Sequence, residues 1–161
     1  MGSTASITPT TLAPAPALLD PVPPRRLPKK DLALQTREHT QFLVIDDAVQ
    51  RAVTESGVKE GVCTVFVPHT TAGITINENA DPDVVRDMTV ALERAVPWNA
   101  HYAHAEGNAA AHVKASMMGF SQQVLIHNGR LQLGTWQSIY FCEFDGPRHR
   151  KVWVQVLKTD S

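Results

Sequence analysis

Cysteine is scarce in this chain. There are two among 161 residues, Cys63 and Cys142, and both sit inside apolar, strand-like runs. Thiols in such settings read as buried, reduced core residues, and a cytosol-like compartment fits that usage. A charge excess of either sign is also missing. The formal net charge is −1, so no basic field draws nucleic acid nonspecifically. Long apolar runs are absent too. None approaches the roughly 18–20 residues that cross a bilayer, so neither nucleic acid nor membrane is an expected partner. What is present is ordinary. Apolar residues make up 43%, enough for a core, and the length suits one domain.

Residues 1–28 differ from the rest. "MGSTASITPTTLAPAPALLDPVPPRRLP" holds most of the prolines and no sustained periodicity. It cannot recover its ordering entropy by burial and reads as a flexible arm. It lacks the basic start and apolar stretch of a secretory signal. Its Ser, Thr, Ala and Pro content allows an organelle transit peptide, and "MGSTAS" fits the loose N-myristoylation pattern. An expression-derived start or plain disorder is the reading favoured over both. The expected location is cytoplasmic, with targeting by the arm left open. The globular domain is expected over 29–161.

"DLALQT" and "TQFLVI" read as a first pair of strands around polar "REH". In "DDAVQRAVTESG", Ala48, Val49, Ala52 and Val53 keep helical spacing and Gly57 supplies the stop. "GVCTVFVP" predicts a central strand buried on both faces. Asp81, Pro82 and Asp83 open a helix whose stripe is Val84, Val85, Met88, Leu92 and Val96, ended by Pro97. Asn108 is expected to cap a further helix, "AAAHVKASMM", stopped by Gly119. "QQVLIHNGRLQLG" carries the Asn-Gly signal of a hairpin. "TWQSIYFCEFD" and "RKVWVQVLK" predict two more strands. The class is α+β, with two packed, mostly antiparallel sheets and two or three helices.

Candidate chemistry starts with the histidines. His69 follows a strand and a proline, His104 lies in the loop before the "AAAHVKASMM" helix, and His112 lies in that helix's first turn. Three neutral imidazoles leave a metal one open position, the catalytic pattern. The competing reading is three solvated rim histidines. Glu106 can orient an imidazole, act as general acid/base, or favour the helix N-terminus. That N-terminus also offers unpaired N–H groups to an anion. Gln137 can orient a ligand or a water, and Trp136 reads as core packing. Arg148 and Arg150, one residue apart, can fork a phosphate or carboxylate or form a solvated hairpin tip. "VPHTTAGITINENADPD" is polar between two core elements, so Thr70, Thr71 and the "NEN" amides either bond a turn or line a pocket.

Together, "PHTTAGITINENADPDV", "HYAHAEGNAAAHVKASMMG" and "GRLQLGTWQSIYFCEFDGPRHRKVWV" resemble the YjbQ-type family, labelled secondary thiamine-phosphate synthase. The resemblance covers about residues 30–158. It implies a homotrimer with sites near subunit boundaries. It also implies a metal, most plausibly zinc, on His69, His104 and His112. Its acidic, amide and arginine positions fall on Asn77, Glu78, Asn79, Asp81, Glu106, Gly107, Asn108, Gln137, Glu143, Arg148 and Arg150. From these, Glu106 and Gln137 are expected to be catalytic. Thr70, Asn77, Glu78, Asn108, Arg148 and Arg150 are expected to bind a phosphorylated metabolite. The implied reaction couples a thiazole phosphate to a pyrimidine pyrophosphate. The alternatives are a non-catalytic metal- or metabolite-binding trimer and a metal-assisted hydrolase.

Overall fold

The computed structural model describes residues 29–159, and the arm expected over residues 1–28 lies outside them. The fold is α+β. Strands β1 (Lys30–Gln35) and β2 (Gln41–Val44) come first, followed by helix α1 (Asp46–Ser56). Then come β3 (Gly61–Phe66), β4 (Ala72–Glu78), α2 (Pro82–Ala95) and α3 (Ala109–Met118). The chain ends with β5 (Ser121–His127), β6 (Arg130–Leu131), β7 (Gln137–Glu143) and β8 (His149–Lys158). Five strands form one sheet in the order β1-β8-β3-β5-β6, and three form a second in the order β2-β7-β4. All pairings are antiparallel.

The first two strands are present as expected, but they do not pair with each other. β1 joins β8, whereas β2 joins β7, so the polar "REHT" link carries the chain from one sheet to the other. The β5–β6 hairpin is as expected. Asn128 and Gly129 take φ of 52° and 74°, the left-handed pair that a tight hairpin turn requires.

Between the sheets lies the main core. Val49 and Val53 of α1 meet Cys63 and Val65 of β3, Ile74 of β4, Ile139 and Phe141 of β7, and Val152 and Val154 of β8. A second core covers the other face of the small sheet. There Tyr140, Cys142 and Phe144 pack on Leu92 of α2 and on Ala111 and Ala115 of α3. The strand buried on both faces is therefore β7. β3 lies at the centre of its sheet but turns Thr64 and Phe66 outward. A run of β-branched residues does not reveal which of two strands a helix pair will cover.

Both thiols are buried, as the sequence suggested. Burial pushes Cys63 up to about 11 and Cys142 still higher, so neither is a nucleophile.

Local rules explain the helix ends in part. Asp81 caps α2 by accepting from the Asp83 N–H at 2.9 Å, with Pro82 in the first turn. An Asp81→Ala variant should lose about 1 kcal/mol of stability, read as a lower urea midpoint with an unchanged slope. A midpoint equal to wild type would contradict the cap. Asn108 occupies the N-cap position of α3 but makes no side-chain cap bond. That departure matters for the site.

Gly73 explains how α3 sits on β4. A Cβ there would lie 2.8 Å from the Gly119 carbonyl oxygen and 2.9 Å from Met118 Cβ. The Ile74 N–H donates to Gly119 O at 3.0 Å and the Val67 N–H to Phe120 O at 2.8 Å. The helix is thus pinned directly to backbone. Small residues on its inner face, Ala110, Ala111 and Ala115, allow the approach.

Candidate functional site

The C-terminal end of β7 lies beside the start of β4, since Glu143 pairs with Ala72. Glu143 is fully buried there. Its carboxylate accepts from Arg150 Nε at 2.7 Å and from Arg150 Nη2 at 2.6 Å. It also accepts from the Thr36 hydroxyl and from the N–H groups of Phe144 and Asp145. Burial pushes this carboxyl up. The Arg150 fork and the backbone donors together outweigh that and hold it below the usual range. Arg150 Nη2 also donates to the Thr71 hydroxyl at 2.8 Å. This network ties together β1, β4, β7 and β8.

His69 lies against the same network. The strand exit through Pro68 delivers it there, as the sequence implied, but to a different partner. Its Nε2 accepts from the Lys151 N–H at 2.8 Å. Burial and the nearby Arg150 charge lower its affinity for a proton. An accepting Nε2 means a neutral ring with its proton on Nδ1.

One turn further, Asp145 organises the rim. Its Oδ2 accepts from Arg148 Nη2 at 2.7 Å and from Asn108 Nδ2 at 3.1 Å, while its carbonyl accepts from Arg148 Nε. Burial raises the Asp145 carboxyl, but these donors win and keep it ionised below its ordinary value. Asn108 is drawn away from capping by this bond, and its Oδ1 is buried with no hydrogen-bond partner among the described residues. Such an orphan costs roughly 1–3 kcal/mol. The first two N–H groups of α3, on Ala109 and Ala110, precede the earliest helical bonds, which run from Ala111 and His112 to Asn108 O. An uncapped helix start with its dipole therefore lies beside Asp145, which Arg148 pairs, and the exposed carboxylate of Glu106.

His104 and His112 meet edge-on beside this start, with ring centroids 5.2 Å apart. Glu106 approaches His104 Nε2 only to 3.9 Å and is largely exposed, so it does not orient that ring by a hydrogen bond. His69 does not join the pair. No group of three or more His, Cys, Asp or Glu side chains among the described residues is arranged to hold a metal ion. One chain supplies two adjacent imidazoles, and the expected three-histidine set does not fit within it.

The remaining expected residues are separated. Asn77, Glu78 and Gln137 lie at the other end of the small sheet, where Glu78 pairs with Gln137. Five strand residues lie between Gln137 and Glu143, a span of roughly 20 Å. Asn77 Nδ2 contacts Met88 Sδ at 3.2 Å, and Gln137 Oε1 accepts from the Gly134 N–H at 2.8 Å. Both have local structural partners. Thr70 is exposed near the Glu143 end. Trp136 is 65% exposed, so it is not the core residue its type suggested. The arginine fork is not formed either. Arg148 precedes β8 and is exposed, while Arg150 is inside it and committed to Glu143. The alternation that would align them applies only within a strand.

Two contributors, Thr36 and Asp145, escaped the sequence reading, whereas Thr71 was expected to bond a turn or line a pocket. Thr36 and Thr71 are buried hydroxyls 35 residues apart in sequence that meet only through the sheet pairing. Asp145, in "FDGPRHR", carried the one usable signal: an acid three residues before an arginine at a turn.

This arrangement of strands, helices and motif residues has relatives. The family described as "UPF0047 protein YjbQ-like" matches residues 30–159. The chain belongs to the YjbQ-like UPF0047 family. The UPF0047 protein YugU of Bacillus subtilis is 48% identical over 129 residues, covering 80% of this chain and 98% of that protein. YjbQ of Escherichia coli O157:H7 is 36% identical over 118 residues, covering 71% and 86%. A crystal structure of an uncharacterised YjbQ/UPF0047 protein from Clostridium acetobutylicum is 58% identical, with a TM-score of 0.78. It covers 80% of this chain and 99% of that one. A protein of unknown function from Sulfolobus solfataricus matches with a TM-score of 0.78 at 31% identity, covering 81% and 96%. The motifs that carried the resemblance thus identify the YjbQ-like family, and the two-sheet fold is the family's. No helix among the described residues is long and apolar enough to cross a membrane.

Proposed function

We propose that this YjbQ-like chain is an enzyme acting on a phosphorylated small molecule, with the phosphate held at the N-terminus of α3. The observation that carries this is the α3 start itself. Its leading N–H groups are uncapped because its cap residue Asn108 is turned toward Asp145. Helix N-termini of this kind bind anions through N–H donors and the dipole. Arg148 stands next to it, half exposed and held only through Asp145. A short side-chain swing would transfer its guanidinium from that carboxylate to a phosphate.

The reaction proposed is transfer of the thiamine-phosphate synthase kind. The bond from a pyrimidine methylene carbon to its diphosphate oxygen breaks, and a bond to the thiazole nitrogen forms. Negative charge develops on the departing diphosphate, and the α3 donors with Arg148 stabilise it there. His104 and His112 flank the same point and can supply a proton to the leaving oxygen. A divalent metal such as zinc, if held by these two imidazoles, would take the place of their proton-donating role and supply Lewis acidity instead. The homotrimer expected of the family is part of this proposal.

The test is direct. Purified protein is given thiazole phosphate and pyrimidine diphosphate, and pyrophosphate release is followed. Turnover in wild type, with a loss of tenfold or more in Arg148→Met, is expected. Binding of both compounds without pyrophosphate release would overturn the enzymatic reading and leave a binding protein.

A further inference from the structure

Helix α1 packs into the core between the sheets, and α2 and α3 pack on the small sheet. Among the described residues, the outer face of the five-stranded sheet therefore has no helix across it. Val62, Thr64 and Phe66 of β3 point to that face. Strand pairing sets Trp153, Gln155 and Leu157 of β8 beside Phe66, Thr64 and Val62, and Gln123 and Leu125 of β5 beside Thr64 and Val62. The face thus carries an aromatic row, an amide and hydroxyl row, and an aliphatic row. Phe66, Leu125 and Leu157 are exposed on it.

At the aromatic end lies a cavity of about 290 Å³ lined by Lys29, Thr64, Phe66, Trp153 and Gln155. Phe66 and Trp153 stack there with ring centroids 5.5 Å apart. Lys29 Nζ lies 4.2 Å from the indole centroid and also pairs with Asp31. Gln155 Nε2 is buried with no hydrogen-bond partner among the described residues. The Thr64 hydroxyl beside it accepts from Gln123 instead, at 3.4 Å. A buried amide donor left unspent calls for an acceptor brought by something else. Stacked rings with such a donor at their edge suit proline-rich chain. The rings take pyrrolidine faces, and the donor takes a backbone carbonyl. The cavity at the α1 end is also bordered by Lys29, but its Lys30 is already paired with Glu55 and it has no aromatic lining.

The chain carries a segment of the required kind in the required place. Lys29 is the first described residue, and "DPVPPRRLP" runs immediately before it. Pro28 has no N–H with which to extend the β1 ladder along β8. In polyproline form Pro21 to Pro28 would reach roughly 25 Å, at about 3.1 Å per residue. Crossing from β8 over β3 to β5 takes about 10 Å. The family match begins at residue 30, so this segment lies outside what the relatives share.

We infer that the outer face of the five-stranded sheet is the docking surface for the chain's own proline-rich segment upstream of Lys29. Its prolines lie on Phe66 and Trp153, a segment carbonyl accepts from Gln155 Nε2, and its apolar side chains cover Val62, Leu125 and Leu157. The surface belongs to the sheet that α3 does not cover, so it stands apart from the anion reading.

A nitroxide on Ala17→Cys in the full, isotope-labelled chain tests this, since both native thiols are buried. Nuclear magnetic resonance should show loss of the Thr64 amide, Gln155 side-chain and Trp153 indole signals, while those of Trp136 and Ala109 stay sharp. Gln155→Met should restore the lost signals. So should Pro21→Ser/Pro23→Ser/Pro24→Ser, which leaves every described residue unchanged. Signals on this face that stay sharp, or broadening spread evenly over the whole surface, would overturn the docking. Broadening that persists in the proline variant would do the same. Broadening of isotope-labelled chains by separate nitroxide-bearing chains would give the face to a second copy and overturn the assignment to the chain's own segment.

Discussion

Replacing Arg150 with methionine should cost about 3–5 kcal/mol of stability, because it leaves a buried carboxylate without its charge partner. Glu143 has no exposure, and Arg150 supplies it two bonds of 2.6 and 2.7 Å. Methionine fills the space without the charge, so the loss is electrostatic rather than a cavity. The double variant Glu143→Gln/Arg150→Met removes both charges and should recover a substantial part of the loss. Urea midpoints of the four proteins give the comparison. A single variant within 1 kcal/mol of wild type would show that the pair is not what closes this end of the sandwich. The pH dependence follows from two lowered values. Glu143 and His69 both bind protons less readily when folded than when unfolded. Each contribution is complete above the ordinary value, about 6.5 for histidine and 4.5 for the carboxylate, and is lost as pH falls through the lowered one. Wild type should therefore weaken in two stages on acidification. In Arg150→Met the carboxylate stage should move to higher pH.

The second large effect is at Gly73. A valine there must displace Gly119 O and Met118 Cβ, which a new Cβ would meet at 2.8 and 2.9 Å. One of these is backbone and cannot swing aside. Helix α3 has to lift, breaking the Ile74 N–H bond to Gly119 O. Overpacking together with that bond should cost about 3 kcal/mol. Alanine should fall between glycine and valine. Because α3 carries Asn108 and His112, the valine variant should also lose anion affinity while still folded in low denaturant. Retained stability with retained affinity would mean that the helix tolerates the shift and that its close seating is not needed.

Gly73 also shows why part of the fold was hidden in the sequence. "AGITINE" reads as polar linker because Gly, Asn and Glu are weak strand formers. Yet Ala72, Ile74 and Ile76 alternate toward the core, and β7 pairs along the full length. Strong local signals were legible. The Asn128–Gly129 hairpin, the Asp81 cap and the apolar faces of α1 and α2 depend on neighbours a few residues away. The partner of β1 was not legible, since pairing with β8 joins residues more than a hundred positions apart. The same division runs through the site. The adjacency of His104 and His112 follows from one loop and one helical turn, and the structure has it. The place of His69 depends on Lys151, across two strands. The expected arginine fork failed because spacing within "RHR" says nothing about where β8 begins.

The central claim is that the start of α3 is an anion site made by Ala109, Ala110, Asn108 and Arg148. Amide-resolved NMR of the labelled chain during titration with inorganic phosphate tests it most directly. The account predicts saturable shifts that are largest at the N–H groups of Ala109 and Ala110 and at the Asn108 side-chain amide, and that weaken in Arg148→Met. Shifts that never saturate, or that centre on Asn77, Glu78 and Gln137 while Ala109 and Ala110 stay still, would contradict it.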